Sequence, residues 1–405
     1  MEGDFLFKVA LQWFGLSLVI GALAGTASAG FLASLDFVTK TRLEYPSLLF
    51  LLPVAGILIA WLYNRHGKEV AAGTDLILDE IHSPKQVVPL RMTPLVLLGT
   101  LITHLFGGSA GREGTAVQMG ASLSDQLTHV FKFEGQPRKI LLMAGISAGF
   151  ASVFGTPLAG AIFGLEVLRV GRLRYAALLP CFASAIIADR VTSLWGIHHT
   201  VYKISEVAPL GMAPLGYAVF AGIAFGLCAR LFSQSLHHMV RLFKHGVNNP
   251  MVRSFVGGII VIVLAALMQS DRYLGLGVPV IVETFNQHVP AYDFVLKILF
   301  TAVTLGSGFK GGEVTPLFFV GATLGNALSW ILPLPMSLLS GMGFVGVFAG
   351  AANTPLACTV MAMELFGTQG AVFCAIACIV SYLCSGHKGI YHSQRIGVKK
   401  HVETN

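Results

Sequence analysis

Apolar residues in this chain gather into long blocks separated by glycine, proline and short polar breaks. The first block begins at Phe5 and runs, with small residues interspersed, to about Val38. It is too long for the apolar core of a cleavable signal peptide and predicts one long, tilted helix. Further blocks occupy residues 47–63, 92–106, 116–123, 139–154, 157–168, 175–187, 213–232, 255–268, 295–304, 316–332, 338–349, 356–366 and 371–384. A helix that crosses a bilayer needs about 20 residues. Runs of ten to fifteen are therefore expected to be re-entrant or half-helices, whose ends survive only where protein or a water-filled cavity satisfies them. The pattern predicts an all-α integral membrane protein built from full and broken helices.

The blocks also repeat. Residues 145–166 align with 343–364 at a shift of 198, and both carry Thr-Pro-Leu-Ala (Thr156 to Ala159, Thr354 to Ala357) followed seven residues later by glutamate, Glu166 and Glu364. A second pairing, at a shift of 201, sets Gly111, Gly120, Ala121 and Leu123 on Gly312, Gly321, Ala322 and Leu324. Duplicated halves whose breaks fall at matching positions point to a transport site where the halves meet. We divide the chain into a first half-repeat of about residues 1–205, a second of about 206–385, and a cytoplasmic tail, 386–405, with no regulatory domain after it.

The matching breaks are GGSAGREGT (107–115) and GSGFKGGEVTP (306–316). Both lead straight into an apolar helix. The free amides of a helix start carry partial positive charge, so two starts aimed at the membrane centre would hold an anion without a full positive charge. Charged groups at that depth are costly and tend to line ion or proton paths. That singles out Arg112 and Glu113 in the first break and Glu313 in the second.

Composition agrees with the class: 54% of residues are hydrophobic and only 12% charged, with mean hydropathy +0.73. The net charge of +7 reads as a bias of cytoplasmic loops rather than a nucleic-acid footprint. Arg65 with Lys68, Arg169 to Arg174, Arg241 to Arg253 and Lys388 to Lys400 are the candidate inner loops and tail, and both termini are expected in the cytoplasm of a microbial cell. The six cysteines lack metal-ligand spacing and are read as packing residues, Cys374 and Cys378 included. His198-His199 and His237-His238 are read as polar loop residues, not ligands, and no metal or cofactor is expected.

GREGT before a helix, the later GGEVTP, GTDLILDE at 73–80, TPLAGAIFGLEV and a tyrosine near the end, Tyr391, together resemble the CLC family of chloride channels and anion/proton exchangers. The likeness covers nearly the whole chain. It implies a homodimer in the lipid bilayer, each subunit carrying its own pore between inverted halves. It also implies that Glu113 is the external gate, closing the anion path as a carboxylate and carrying a proton when it moves.

Departures from the chloride-type pattern refine this. Thr115 stands where proline usually follows GREG, the first motif reads Gly73-Thr74-Asp75-Leu76-Ile77, and the third carries Glu313-Val314-Thr315-Pro316. Val167 takes the place of the internal proton-carrying glutamate. These changes resemble the fluoride-exporting branch, which implies a fluoride/proton antiporter, with chloride exchange or passive chloride conduction as the alternative. Fluoride is small and strongly hydrated, so close donors must replace its water. The resemblance assigns anion contacts to Thr74, Gly111, Arg112, Gly114, Val314, Thr315 and Tyr391, and gate and proton roles to Glu113 and Glu313. A plainer reading pairs Glu313 with Lys310. Glu166 and Glu364 are expected to brace helices through basic partners. Gly107, Ser109 and Gly111 also match GxSxG, but no strand precedes them as a nucleophile elbow requires. Gly306, Gly308 and Gly311 match GxGxxG without a βαβ unit, and an enzyme is set aside.

Overall fold

A computed structural model describes residues 2–400, with side chains from residue 7 onward. The first half runs α1 (Glu2–Glu44), α2 (Leu52–His66), α3 (Thr74–His82), α4 (Met92–Leu105), α5 (Glu113–Asp125), α6 (Leu127–Phe131), α7 (Gln136–Phe154), α8 (Pro157–Glu166) and α9 (Leu178–Leu194). The second runs α10 (Met212–Gly246), α11 (Pro250–Met268), α12 (Val278–Glu283), α13 (Asp293–Gly306), α14 (Val314–Leu328), α15 (Met336–Ala352), α16 (Pro355–Phe366) and α17 (Ala371–Cys384). Among the described residues, α6 alone lacks a counterpart: α1 to α5 match α10 to α14, and α7 to α9 match α15 to α17.

Packing repeats with the order. Helix α5 lies against α7 as α14 lies against α15, α7 against α9 as α15 against α17, and α1 against α9 as α10 against α17. The first of these contacts is too close for side chains. A Cβ on Gly120 would stand 2.4 Å from Gly145 O, and one on Gly321 would stand 2.0 Å from Gly343 O. These are the glycines that aligned in the sequence. Inside a membrane protein, where apolar burial drives little helix association, such small-residue contacts let backbones approach and carry the packing.

The relation between the halves is visible in two reciprocal contacts. Gly111 and Gly312, equivalent residues, form an antiparallel bridge, with Gly111 N donating to Gly312 O at 2.6 Å and Gly312 N to Gly111 O at 2.8 Å. Glu166 accepts from Leu356 N and Ala357 N at 3.1 and 2.9 Å, and Glu364 accepts from Leu158 N and Ala159 N at 2.9 and 2.8 Å. Each glutamate thus caps the opposite half's α16 or α8, satisfying orphan amides of the first turn. A pairing of equivalent residues in opposite directions requires a two-fold axis between them, which is an inverted repeat. The two glutamates brace helices as expected, but through backbone amides and not through basic side chains.

Among the described residues, five helical segments are long and apolar enough to cross a membrane: Phe7–Glu44, Pro46–His66, Tyr175–Leu194, Met212–Gly246 and Pro250–Met268. Shorter apolar helices of 10–17 residues, α4, α8 and α14 to α17 among them, fill the interior. Some boundaries differ from expectation. The block at 213–232 continues as helix to Gly246 because Leu236 and Phe243 keep one face buried while Arg241 and Lys244 occupy the other. His237 and His238 are therefore helical, not loop residues. The short α12 was not expected as an element.

Each short helix is anchored by an arginine between two acids. Arg138 on α7 bonds both carboxylate oxygens of Asp125, at 2.9 and 2.8 Å, and reaches Glu80 of α3 at 3.1 Å. Arg272 bonds Glu283 of α12 and Asp293, each at 2.9 Å. A buried arginine paired bidentately fixes geometry as well as charge.

Residues 386–400, expected as a free tail, are folded back onto the body. Ile390 N donates to Ala351 O at 2.9 Å and Gln394 Nε2 reaches Val167 O and Ala352 O, each at 2.9 Å. β2 (Arg395–Ile396) then pairs in parallel with β1 (Arg169–Val170). This return carries Tyr391 into the interior. A stretch with little apolar periodicity gives no sequence signal for such docking, because its contacts are single backbone and amide bonds.

Candidate functional site

Two helix starts, α5 and α14, meet where the Gly111–Gly312 bridge joins the halves. A Cβ on Gly111 would lie 2.9 Å from Pro316 Cδ and 3.0 Å from Gly312 O, so only glycine permits this crossing. The bridge has a consequence for anion contact. The Gly111 N–H, expected to face the anion, is committed to Gly312 O. In this bridge Gly111 brings the two starts into close approach.

Glu113 is the first residue of α5 and is 1% exposed. Its carboxylate lies on the start of α14: Thr315 N donates to Oε2 at 2.9 Å, and the Thr315 hydroxyl lies 2.8 and 2.7 Å from Oε1 and Oε2. Arg112 N also reaches Oε2 at 3.2 Å, and Arg112 Nε stands 3.5 Å from Oε1. The carboxylate fills the position an anion would take at a helix start, and α14's partial positive charge favours it there. Arg112 Nε has no hydrogen-bond partner among the described residues although it is buried.

Thr115, the replacement for proline, has its hydroxyl 2.7 Å from that of Thr100 on α4. A proline could not make this bond, which ties α5 to its neighbour α4. Val314, the first residue of α14, is buried beside Thr315. Gly114 packs against Gly312, and a Cβ there would lie 3.8 Å from Glu313 Oε2.

Glu313 precedes α14 and is half-buried. Lys310 does not pair with it: its ammonium donates to Ala71 O at 3.2 Å and lies 4.3 Å from the centre of the Tyr63 ring. Among the described residues Glu313 makes no ion pair, whereas Glu113 is held by several donors.

Thr74 begins α3, and its hydroxyl accepts from Gln118 Nε2 at 3.3 Å. Gln118 sits one turn beyond Gly114 on α5, so it links the first motif to α5. The sequence reading missed it because a lone glutamine in an apolar helix carries no motif. Asp75, next to Thr74, accepts from Ser393 N at 3.0 Å. Tyr391 is buried and lies within electrostatic range of Glu313, Asp75 and Glu113. Thus Thr74 and Tyr391 approach through α3 and the returned tail, and Arg112, Glu113, Gly114, Val314 and Thr315 cluster at the crossing. Ser109, of the set-aside nucleophile elbow, donates its amide to Thr304 Oγ1 at 3.2 Å, and its hydroxyl lies 3.0 Å from that of Thr301.

Comparison with known proteins follows this geometry. Residues 55–386 match the family described as voltage gated chloride channel. A protein of Pseudomonas syringae pv. tomato named "Chloride/fluoride channel protein" is 55% identical over 98% of this chain and 89% of its own length. A crystal structure described as a CLC-type fluoride/proton antiporter superposes with a TM-score of 0.93 at 36% identity, covering 96% of this chain and 98% of that one. A cyanobacterial Cl−/H+ antiporter structure, 20% identical with a TM-score of 0.81 over 92% of this chain and 94% of that one, shares the fold.

Proposed function

The chain belongs to the voltage gated chloride channel family, and from that premise we propose that it is a fluoride/proton antiporter, a multi-pass homodimer in the cell membrane that exports fluoride in exchange for protons. The observation that carries the mechanism is the Glu113 carboxylate seated on the Thr315 amide and hydroxyl. A carboxylate and a fluoride ion are rival acceptors for the same donors. Protonation removes the carboxylate's charge, weakens its hold on α14 and lets the anion take its place. Return of the carboxylate expels the anion and delivers the proton. Binding of one ion is thereby made conditional on the other, which is the requirement for exchange.

Selectivity for fluoride follows from donors at short range: the Thr315 hydroxyl, the amides of the α14 start, and Thr74 with Tyr391 on the inner side. Arg112 contributes positive charge beside the gate. The likeness to the structure described as a CLC-type fluoride/proton antiporter and the third-motif acid, Glu313, support fluoride over chloride. The basic residues Arg241, Lys244 and Lys388 set the cytoplasmic face, with both termini on that side. The test is flux from liposomes holding the purified protein. Fluoride efflux exceeding chloride efflux, with proton movement in the opposite direction against a pH gradient, is expected. Equal chloride flux, or anion flux without proton movement, would replace this reading with a chloride exchanger or a channel.

A further inference from the structure

The proton route is the part of an exchanger that the gate alone does not supply. Val167, at the end of α8, cannot carry a proton. An open cavity of about 1510 Å3 lies between α10, α13 and the returned tail, lined by His237, His238, Arg241, Lys244, Lys388 and His392 among others. No aspartate or glutamate is among its lining residues. The His237 and His392 rings pack there at a 30° tilt with centroids 4.0 Å apart. His237 Nε2 is buried and has no hydrogen-bond partner among the described residues.

Directly behind His392, the tail's next residue, Ser393, donates its amide to Asp75 Oδ1 at 3.0 Å. Asp75 lies in turn within electrostatic range of Glu313, and Glu313 Oε2 lies close to Gly114, the neighbour of Glu113. Titratable groups therefore form a file from open cavity to gate: His237 and His392, Asp75, Glu313, Glu113.

We propose that Asp75 and the His237–His392 pair are the inner proton relay, passing protons between Glu313 and the water of this cavity. The proposal rests on the antiport reading. A proton released by Glu113 moves to the Glu313 carboxylate, from there to an oxygen of Asp75, then to a ring nitrogen of His392, and finally to water; each group returns to its starting state. Imidazole suits the last hop because one ring nitrogen can accept a proton while the other releases one. The charged groups facing the relay are Arg241 and Lys388 towards His237, Asp79 towards Asp75, and Lys310 towards Glu313. The cationic lining collects anions at the same mouth, so the imidazoles and Asp75 give protons a separate foothold.

The experiment is paired recording of fluoride efflux and proton uptake in liposomes for wild type, Asp75→Asn and the double variant His237→Gln/His392→Gln. Asparagine keeps an oxygen for the Ser393 amide, and Asp75→Glu tests rescue. Asp75→Asn should lower the proton-to-fluoride ratio at least about tenfold, in line with loss of a positioned proton-transfer group. The glutamate variant should restore it. The histidine variant should lose the dependence of proton flux on the pH of the cavity side. An unchanged ratio in Asp75→Asn, at full or reduced turnover, together with an unchanged pH profile in the histidine variant, overturns the relay. Absence of fluoride-driven proton movement in wild type would overturn the antiport reading instead, a distinct result.

Discussion

The starts of α5 and α14 occupy equivalent places in the two halves, yet their glutamates behave differently. Glu113 is fully buried and held by the amide and hydroxyl of Thr315 on the opposite half. Glu313 stands one position earlier in the repeat register, before its helix, half-buried and without an ion pair among the described residues. The first is locked onto a helix start; the second has the Lys310 ammonium within electrostatic range but forms no salt bridge with it. Symmetry built the paired helix starts, and its breaking at one position set the two acids in different surroundings, which under the proposed mechanism suits one to close the path and the other to take up what the first releases.

The strongest test of that division is Glu113→Gln. The amide keeps size and hydrogen bonding but cannot titrate, so fluoride-driven proton uptake should vanish. Proton pumping at wild-type stoichiometry would remove Glu113 from the carrier role. Next is Glu313→Gln, for which we expect fluoride turnover to fall by at least about tenfold or to become an uncoupled leak. Wild-type rate and coupling would leave Glu313 a structural acid. Thr315→Ala removes a buried hydroxyl donor, a change of roughly 1 to 3 kcal/mol, and should narrow the measured fluoride-to-chloride flux ratio. An unchanged ratio would move selectivity towards Thr74 and Tyr391. Smallest is Lys310→Met. This ammonium contacts Ala71 O and the Tyr63 ring, so turnover should change by no more than about threefold, as for loss of a cation–π contact. A loss matching that of Glu313→Gln would show that the two residues act as a pair.

Much of the architecture was legible because it depends on local rules. Block lengths separated spanning from broken helices, and the shifts of 198 and 201 located the duplication through the glycines that α5/α7 and α14/α15 packing requires. Glu113 and Thr315 were legible because their motifs lead into helices. The partners were less so. That Glu166 caps α16 and Glu364 caps α8 depends on a two-fold axis joining residues about 200 positions apart, which no local pattern encodes. Gln118 touching Thr74, the docking of residues 386–400, and the packing of His237 on His392 also arise from chain segments remote in sequence. The Gly111 amide was assigned to the anion from motif position alone, whereas its donor capacity is spent on Gly312.

The central claim is that the Glu113 carboxylate and the transported anion compete for the α14 start, and fluoride binding to purified protein by calorimetry at pH 5.5 and pH 8 tests it most directly. In wild type, protonation frees the site, so affinity should rise as pH falls. In Glu113→Ala, with no competitor, fluoride should bind at pH 8 at least about tenfold more tightly than to wild type, and the pH dependence should disappear. Equal affinity in the two proteins at pH 8, with the same pH dependence in both, would contradict the account.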